Sequence, residues 1–170
     1  MLHTRPHIYK SMRFHSTDNI WVDTRGLTVN STTNNKSCIT GSAVKGNIYF
    51  EVLVNKPHVR IGLAPKDHKL YGPLGLEDSY AFGSSKGYKY HKGVRNAYAH
   101  KFGADDVISV LKVEHFLKFF VNGVDLGIAY HDLYGKEYFP ALSFYDGGSV
   151  TVNFGPCFAY DNVIRYEAMV

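Results

Sequence analysis

Two stretches of this chain carry residue types that could do chemistry. The first is Val59-Arg60-Ile61-Gly62, where a single guanidinium interrupts an apolar run. An arginine in such a run must pair or face outward, and its planar fork grips a carboxylate or phosphate through two parallel hydrogen bonds. The plainer alternative is an edge arginine satisfied within the fold. The second stretch, Lys86 to Lys101, holds five basic residues, three tyrosines, two histidines and no carboxylate. Lys89, Lys92, Arg95 and Lys101 with the interleaved tyrosines fit phosphate contacts and base stacking. A solvated hairpin face explains the same composition and stands ahead of that reading, since no nucleic-acid motif accompanies the stretch. A basic pocket for an acidic peptide is the third reading.

Reactive chemistry has less support. Gly83-Ser-Ser-Lys-Gly-Tyr-Lys89 has the flavour of a phosphate loop, but a P-loop needs Gly-Lys-Ser/Thr opening a helix. Here Tyr88 follows the second glycine, and a polar turn between strands is expected. Nine histidines invite a metal, yet His91, His100, His115 and His131 lack ligand spacing, and Pro6 interrupts His3 and His7. Cys157 follows Gly155-Pro156 with no neighbouring base to activate it. Cys38 and Cys157 are expected as buried thiols. No catalytic residue, metal or cofactor is expected.

The elements that must position these residues read as strands. Tyr, Phe and Val are abundant and favour a half-buried pleated surface. Short apolar runs recur at Gly26–Val29, Ile48–Val54, Val59–Leu63, Ser79–Phe82 and Val107–Val113, with Gly, Pro and Asn turn signals between them. Phe116 to Tyr130 contains Asn122-Gly123, two residues that accept positive φ and suit a type I′ hairpin turn. In the closing run Val150, Val152 and Phe154 share one face. Such a succession describes an all-β sandwich or barrel. A chain of 170 residues fits one domain. We expect a basic N-terminal arm over 1–19, the β domain over 20–160 and a tail over 161–170. Ile8, Tyr9 and Phe14 could pack the arm on the domain edge. No apolar run has the length of a membrane span, and no membrane association is expected. The net charge of +4 permits an acidic partner without demanding one.

Several motifs then converge. Gly46-x-x-Tyr49-Phe50-Glu51, Val59-Arg60-Ile61-Gly62 and the Asn-Gly hairpin, with the closing Asn153-Phe154-Gly155, resemble the SPRY domain. Gly72-Pro-Leu-Gly75, Asp78-Ser-Tyr80, Tyr138-Phe-Pro-Ala141 and Asn153-Phe-Gly-Pro-Cys-Phe158 resemble one branch of it. That branch is the absent-small-or-homeotic-discs-2 type subunit of COMPASS/MLL histone methyltransferase complexes. The resemblance covers roughly Leu27 to Tyr160. It implies a bent antiparallel β-sandwich of the B30.2-like, concanavalin-like class and a non-catalytic nuclear interaction subunit. It further implies a basic pocket for an acidic segment of a retinoblastoma-binding-protein-5-like partner, the pair activating a SET-domain methyltransferase on histone H3 lysine 4.

By the same resemblance Arg60, Pro73 and Lys86 match pocket residues. A pocket aromatic appears as Leu76, a second pocket arginine as Gly83, and an upstream aromatic as a polar residue near Lys36. The family's zinc-finger and winged-helix region is missing, so its DNA-binding role is not carried over; only weak nucleosome or DNA contact remains open. The amphipathic C-terminal helix that binds the dumpy-30 dimer is expected to be absent or cut away, so that contact is not expected. The isolated chain is expected to be a monomer. The alternative reading is a SPRY adaptor or ubiquitin-ligase substrate receptor with a different peptide ligand.

Overall fold

The computed structural model describes residues 12–16, 20–31, 36–39, 46–66, 72–135 and 137–160, with 36–39 described by backbone alone. Strands follow in the order β1 (Ile20–Val22), β2 (Thr28–Ser31), β3 (Lys36–Ile39), β4 (Ile48–Lys56), β5 (Val59–Pro65), β6 (Tyr80–Gly83) and β7 (Tyr88–His91). They continue as β8 (Val94–Ala97), β9 (Val107–Val113), β10 (Phe116–Val121), β11 (Val124–Tyr130), β12 (Tyr138–Phe144) and β13 (Ser149–Asn153). No helix occurs among the described residues. Every strand pair is antiparallel. A seven-stranded sheet runs β1-β2-β13-β4-β9-β10-β11, and a six-stranded sheet runs β3-β12-β5-β6-β7-β8. The expected all-β sandwich is therefore the observed one.

Period-two alternation explains how the sheets meet. Phe50 and Val52 of β4, Leu117 and Phe119 of β10, and Val150 and Val152 of β13 face inward from the larger sheet. Ile61, Leu63, Phe82 and Leu142 meet them from the smaller sheet, all fully buried. Burying each such side chain contributes roughly 1.5–3 kcal/mol, which makes the alternation decisive for register. The closing run behaves as read from sequence, with Phe154 against Phe50 and Phe14. Met12 and Phe14 lie in this same core, so the ordered β domain draws on residues N-terminal to β1. Ile8 and Tyr9 lie outside the described residues.

β10 is covered on both faces, since its sequence is apolar at alternate positions on each. On the outer face Phe120 and Leu111 are buried beneath Tyr160. The buried Glu51 carboxylate holds that cover in place, accepting the Ala159 and Tyr160 N–H groups at 2.7 and 2.8 Å and the Tyr49 hydroxyl at 2.7 Å. Asn122 and Gly123 take φ of 49° and 80°, the conformation expected of their turn. One cysteine expectation is corrected: Cys157 is exposed, because the chain has left the sheet after Asn153. The side chain of Cys38 lies outside the described residues.

Candidate functional site

Arg60 sits on the outer face of the smaller sheet, between the inward-pointing Val59 and Ile61. Its register partners are Ser143 of β12 on one side and Gly83 of β6 on the other. The guanidinium carbon lies 3.7 Å above the Tyr90 ring centroid, and Nη1 donates to the Leu74 carbonyl at 3.0 Å. A cation on an aromatic face gains electrostatically from the ring quadrupole, more so when partly desolvated. Burial lowers the pKa of Arg60 from its ordinary value, with the nearby Tyr90 opposing that shift. The group remains a cation, as arginine does throughout proteins.

Gly83 has a physical reason. A Cβ there would approach Tyr90 Cε2 to 2.8 Å, so only glycine lets that ring lie across the strand and reach Arg60. Tyr90 thus occupies the space where a larger residue at 83 would stand. Gly62 has another: a Cβ there would come within 1.9 Å of the Tyr80 carbonyl oxygen of the adjacent strand.

Around Arg60 lies a cleft of about 370 Å³ whose lining includes Pro73, Lys86, Tyr88, Tyr90, Arg95 and Tyr145. Among the described residues no carboxylate lines it. Among the described residues none of Arg60, Lys86 and Arg95 pairs with an acid. Arg95 stands 5.6 Å from the Tyr88 ring centroid. Two buried serines, Ser143 and Ser84, fix the walls, and a third, Ser79, fixes the loop that follows Pro73. Ser143 Oγ accepts the Leu74 N–H at 2.9 Å, so the Leu74 peptide is held from both ends, by Ser143 and Arg60. Ser84 Oγ accepts the N–H groups of His58 and Val59, each at 3.0 Å. Ser79 Oγ accepts the Gly75 N–H at 2.8 Å and donates to the Leu76 carbonyl at 2.6 Å. Each such bond satisfies a buried backbone group whose loss would cost about 1–3 kcal/mol.

The residues singled out from sequence divide accordingly. Arg60, Pro73 and Lys86 meet in one cleft. Leu76 is exposed and outside its lining, beside Gly93 of the β7–β8 turn. At Lys36 the backbone pairs with Phe144, and the side chain lies outside the described residues. Lys89 points away from the cleft, donating to the Ala129 carbonyl at 2.8 Å with Tyr130 4.9 Å from its ammonium. That lysine is committed to the fold. Lys92, Arg95 and Lys101 are exposed, and only Arg95 belongs to the cleft.

Tyr90, Ser84 and Ser143 are the site residues that sequence reasoning did not single out, and Arg95 was named there only for nucleic-acid contact. Tyr88-Lys89-Tyr90-His91 alternates aromatic with basic, and that alternation puts Tyr88 and Tyr90 on the Arg60 face. The serines carried no signal, because a serine buried by its hydrogen bonds looks like any loop serine.

A family model described as the SPRY domain matches residues 47–156. Over 65 residues the chain is 42% identical to the Set1/Ash2 histone methyltransferase complex subunit ASH2 of Drosophila melanogaster. That match covers 35% of this chain and 12% of the relative, so the chain spans a small part of the relative's length. The SPRY domain of human HERC1 superposes with a TM-score of 0.73 at 16% identity, covering 86% of this chain and 97% of that one. A human SPRY domain gives 0.67 at 20% identity, with 85% and 99% covered. The TRIM65 PSpry domain gives 0.69 at 13% identity, with 85% and 92% covered. At such identities the structural likeness speaks for the fold alone.

Proposed function

The chain belongs to the SPRY domain family, a class of non-catalytic interaction modules, and from that premise we propose that it is a subunit of a nuclear histone H3 lysine 4 methyltransferase complex. Its cleft takes an acidic segment of a retinoblastoma-binding-protein-5-like partner, and the pair favours the active arrangement of a SET-domain subunit. The observation that carries this reading is the cleft itself, where Arg60, Lys86 and Arg95 gather with no carboxylate among the described lining residues. A preorganised cation cluster that pairs with no acid among the described residues is complementary to one supplied from outside. The kinship with a methyltransferase-complex subunit supplies the context.

Activation of this kind needs no chemistry from the domain. A partner that binds the active state of an enzyme better than the inactive one shifts the population toward it. The fixed walls at Ser84 and Ser143 suit such a role, since a rigid site spends little ordering entropy on binding. Affinity purification of the tagged chain from its native cells tests the reading. It should recover a SET-domain protein together with a propeller-type partner carrying an acidic segment. Recovery of ubiquitin-ligase components without methyltransferase subunits would contradict it and favour an adaptor role.

A further inference from the structure

β8 closes the smaller sheet at one edge, paired to β7 on one side only. All four of its residues, Val94 to Ala97, are exposed. The turn before it is two residues long, Lys92 and Gly93, with φ of 53° and 74°. In such a hairpin the flanking pair His91↔Val94 exchanges both backbone hydrogen bonds, and alternation gives the same to Lys89↔Asn96. The N–H and C=O groups of Arg95 and Ala97 therefore point outward from the sheet. Among the described residues nothing accepts or donates to them. The hairpin tip is pinned, with Lys92 N–H donating to the Glu77 carbonyl at 3.0 Å and Gly93 N–H to the Gly75 carbonyl at 2.9 Å. This edge is therefore a fixed template.

Its surroundings say what would cover it. Arg95 and Ala97 pair with Tyr90 and Tyr88, which places them on the face that carries Arg60. From Ser79 to Ala104 the chain has five Lys and Arg residues and no Asp or Glu. We propose that an extended acidic segment of a partner protein adds as a further strand to the β8 edge, with alternate carboxylates on the cleft side facing Arg95. Main-chain hydrogen bonds to Arg95 and Ala97 set the register, and the cleft cations select the charge. This rests on the acidic-segment reading of the cleft and adds the mode of docking to it. Nucleic acid fits the edge less well, because Lys89 is committed inward and an outward row of peptide groups matches another backbone.

A fluorescein-labelled peptide of alternating glutamate and threonine, about ten residues long, serves as probe, with anisotropy as the readout. Ala97→Pro removes one outward N–H without touching a bond to β7, a substitution that edge strands tolerate. It should weaken binding about fivefold, the equivalent of losing one interstrand hydrogen bond. The same peptide N-methylated on alternate residues should lose a similar factor against the unaltered protein, a check independent of how the variant folds. Slowed amide exchange at Arg95 and Ala97 in the complex is the third expected result. If Arg60→Ala abolishes binding while Ala97→Pro and N-methylation leave it intact, strand addition is overturned and the cleft reading survives. If Arg60→Ala and Ala97→Pro both bind like wild type, both readings fall. Binding of duplex DNA in place of the peptide overturns the proposal in favour of nucleic acid.

Discussion

At the scale of single residues the site depends on how Arg60 is held. Its guanidinium is clamped between the Tyr90 ring and the Leu74 carbonyl, and the Leu74 N–H is held in turn by Ser143. Arg60→Lys keeps the charge but loses the stacking plane and the fork. It should therefore bind an acidic segment more weakly than wild type while folding as well, and calorimetry beside thermal melts would separate the two effects. Gly62→Ala should behave oppositely: its Cβ has no room beneath Tyr80, and a loss of roughly 3 kcal/mol or more in denaturant unfolding is expected. A variant with wild-type stability would mean that β5 and β6 can separate at that point. Arg60 was legible in sequence because a lone charge in an apolar run demands an explanation. Tyr90 was not, since its role arises only where Gly83 opens the neighbouring strand.

At the scale of elements, strands with a buried face announced themselves and exposed ones did not. β13 alternates because one face meets the core, β9 is an unbroken buried run because both its faces are covered, and the Asn122-Gly123 turn named its own hairpin. β8 is exposed throughout and turns through Lys92-Gly93, where a lysine at positive φ disguises the turn. The stretch was read foremost as a solvated hairpin face, without the limits of its strands. Phe14 was expected to pack at the domain edge and lies instead in the main core, because an isolated aromatic in a basic segment has no periodicity to mark its depth. The β1–β2 connection offers a pH test. Asp23 accepts the N–H groups of Leu27 and Thr28 at 2.9 and 3.0 Å, and those bonds hold its pKa down to about 2 from an ordinary 3.8. A depressed folded-state pKa contributes stability that is full above the unfolded value and lost as pH falls through the folded one. The stability gap between wild type and Asp23→Ala should thus be constant above about pH 4 and shrink toward pH 2. Urea melts across that range check it, and a gap that widens on acidification would contradict the account.

At the scale of the whole molecule, a SPRY sandwich presents a basic cleft and an open basic edge on one end of its smaller sheet. The motif set that carried the family resemblance reports mainly on the fold: Gly62 spaces two strands, and Phe154 of the closing run fills the core. The cleft draws instead on Arg60, Lys86 and Arg95 from three separate segments, a convergence that only the folded sheet reveals. Because these cations are partly exposed and the net charge is +4, affinity for an acidic segment should fall with added salt. The fall should be shallower than for DNA, where every phosphate neutralised releases counterions.

The most direct test of the central claim is calorimetric titration of the acidic segment from the propeller-type partner into wild type and Arg60→Ala, at matched ionic strength and with folding verified by melts. Removing one member of a partly desolvated charge pair should cost about 2–5 kcal/mol, a loss of some 30-fold or more in affinity. Equal affinity for the two proteins would contradict the account, and the cleft would no longer be the binding site.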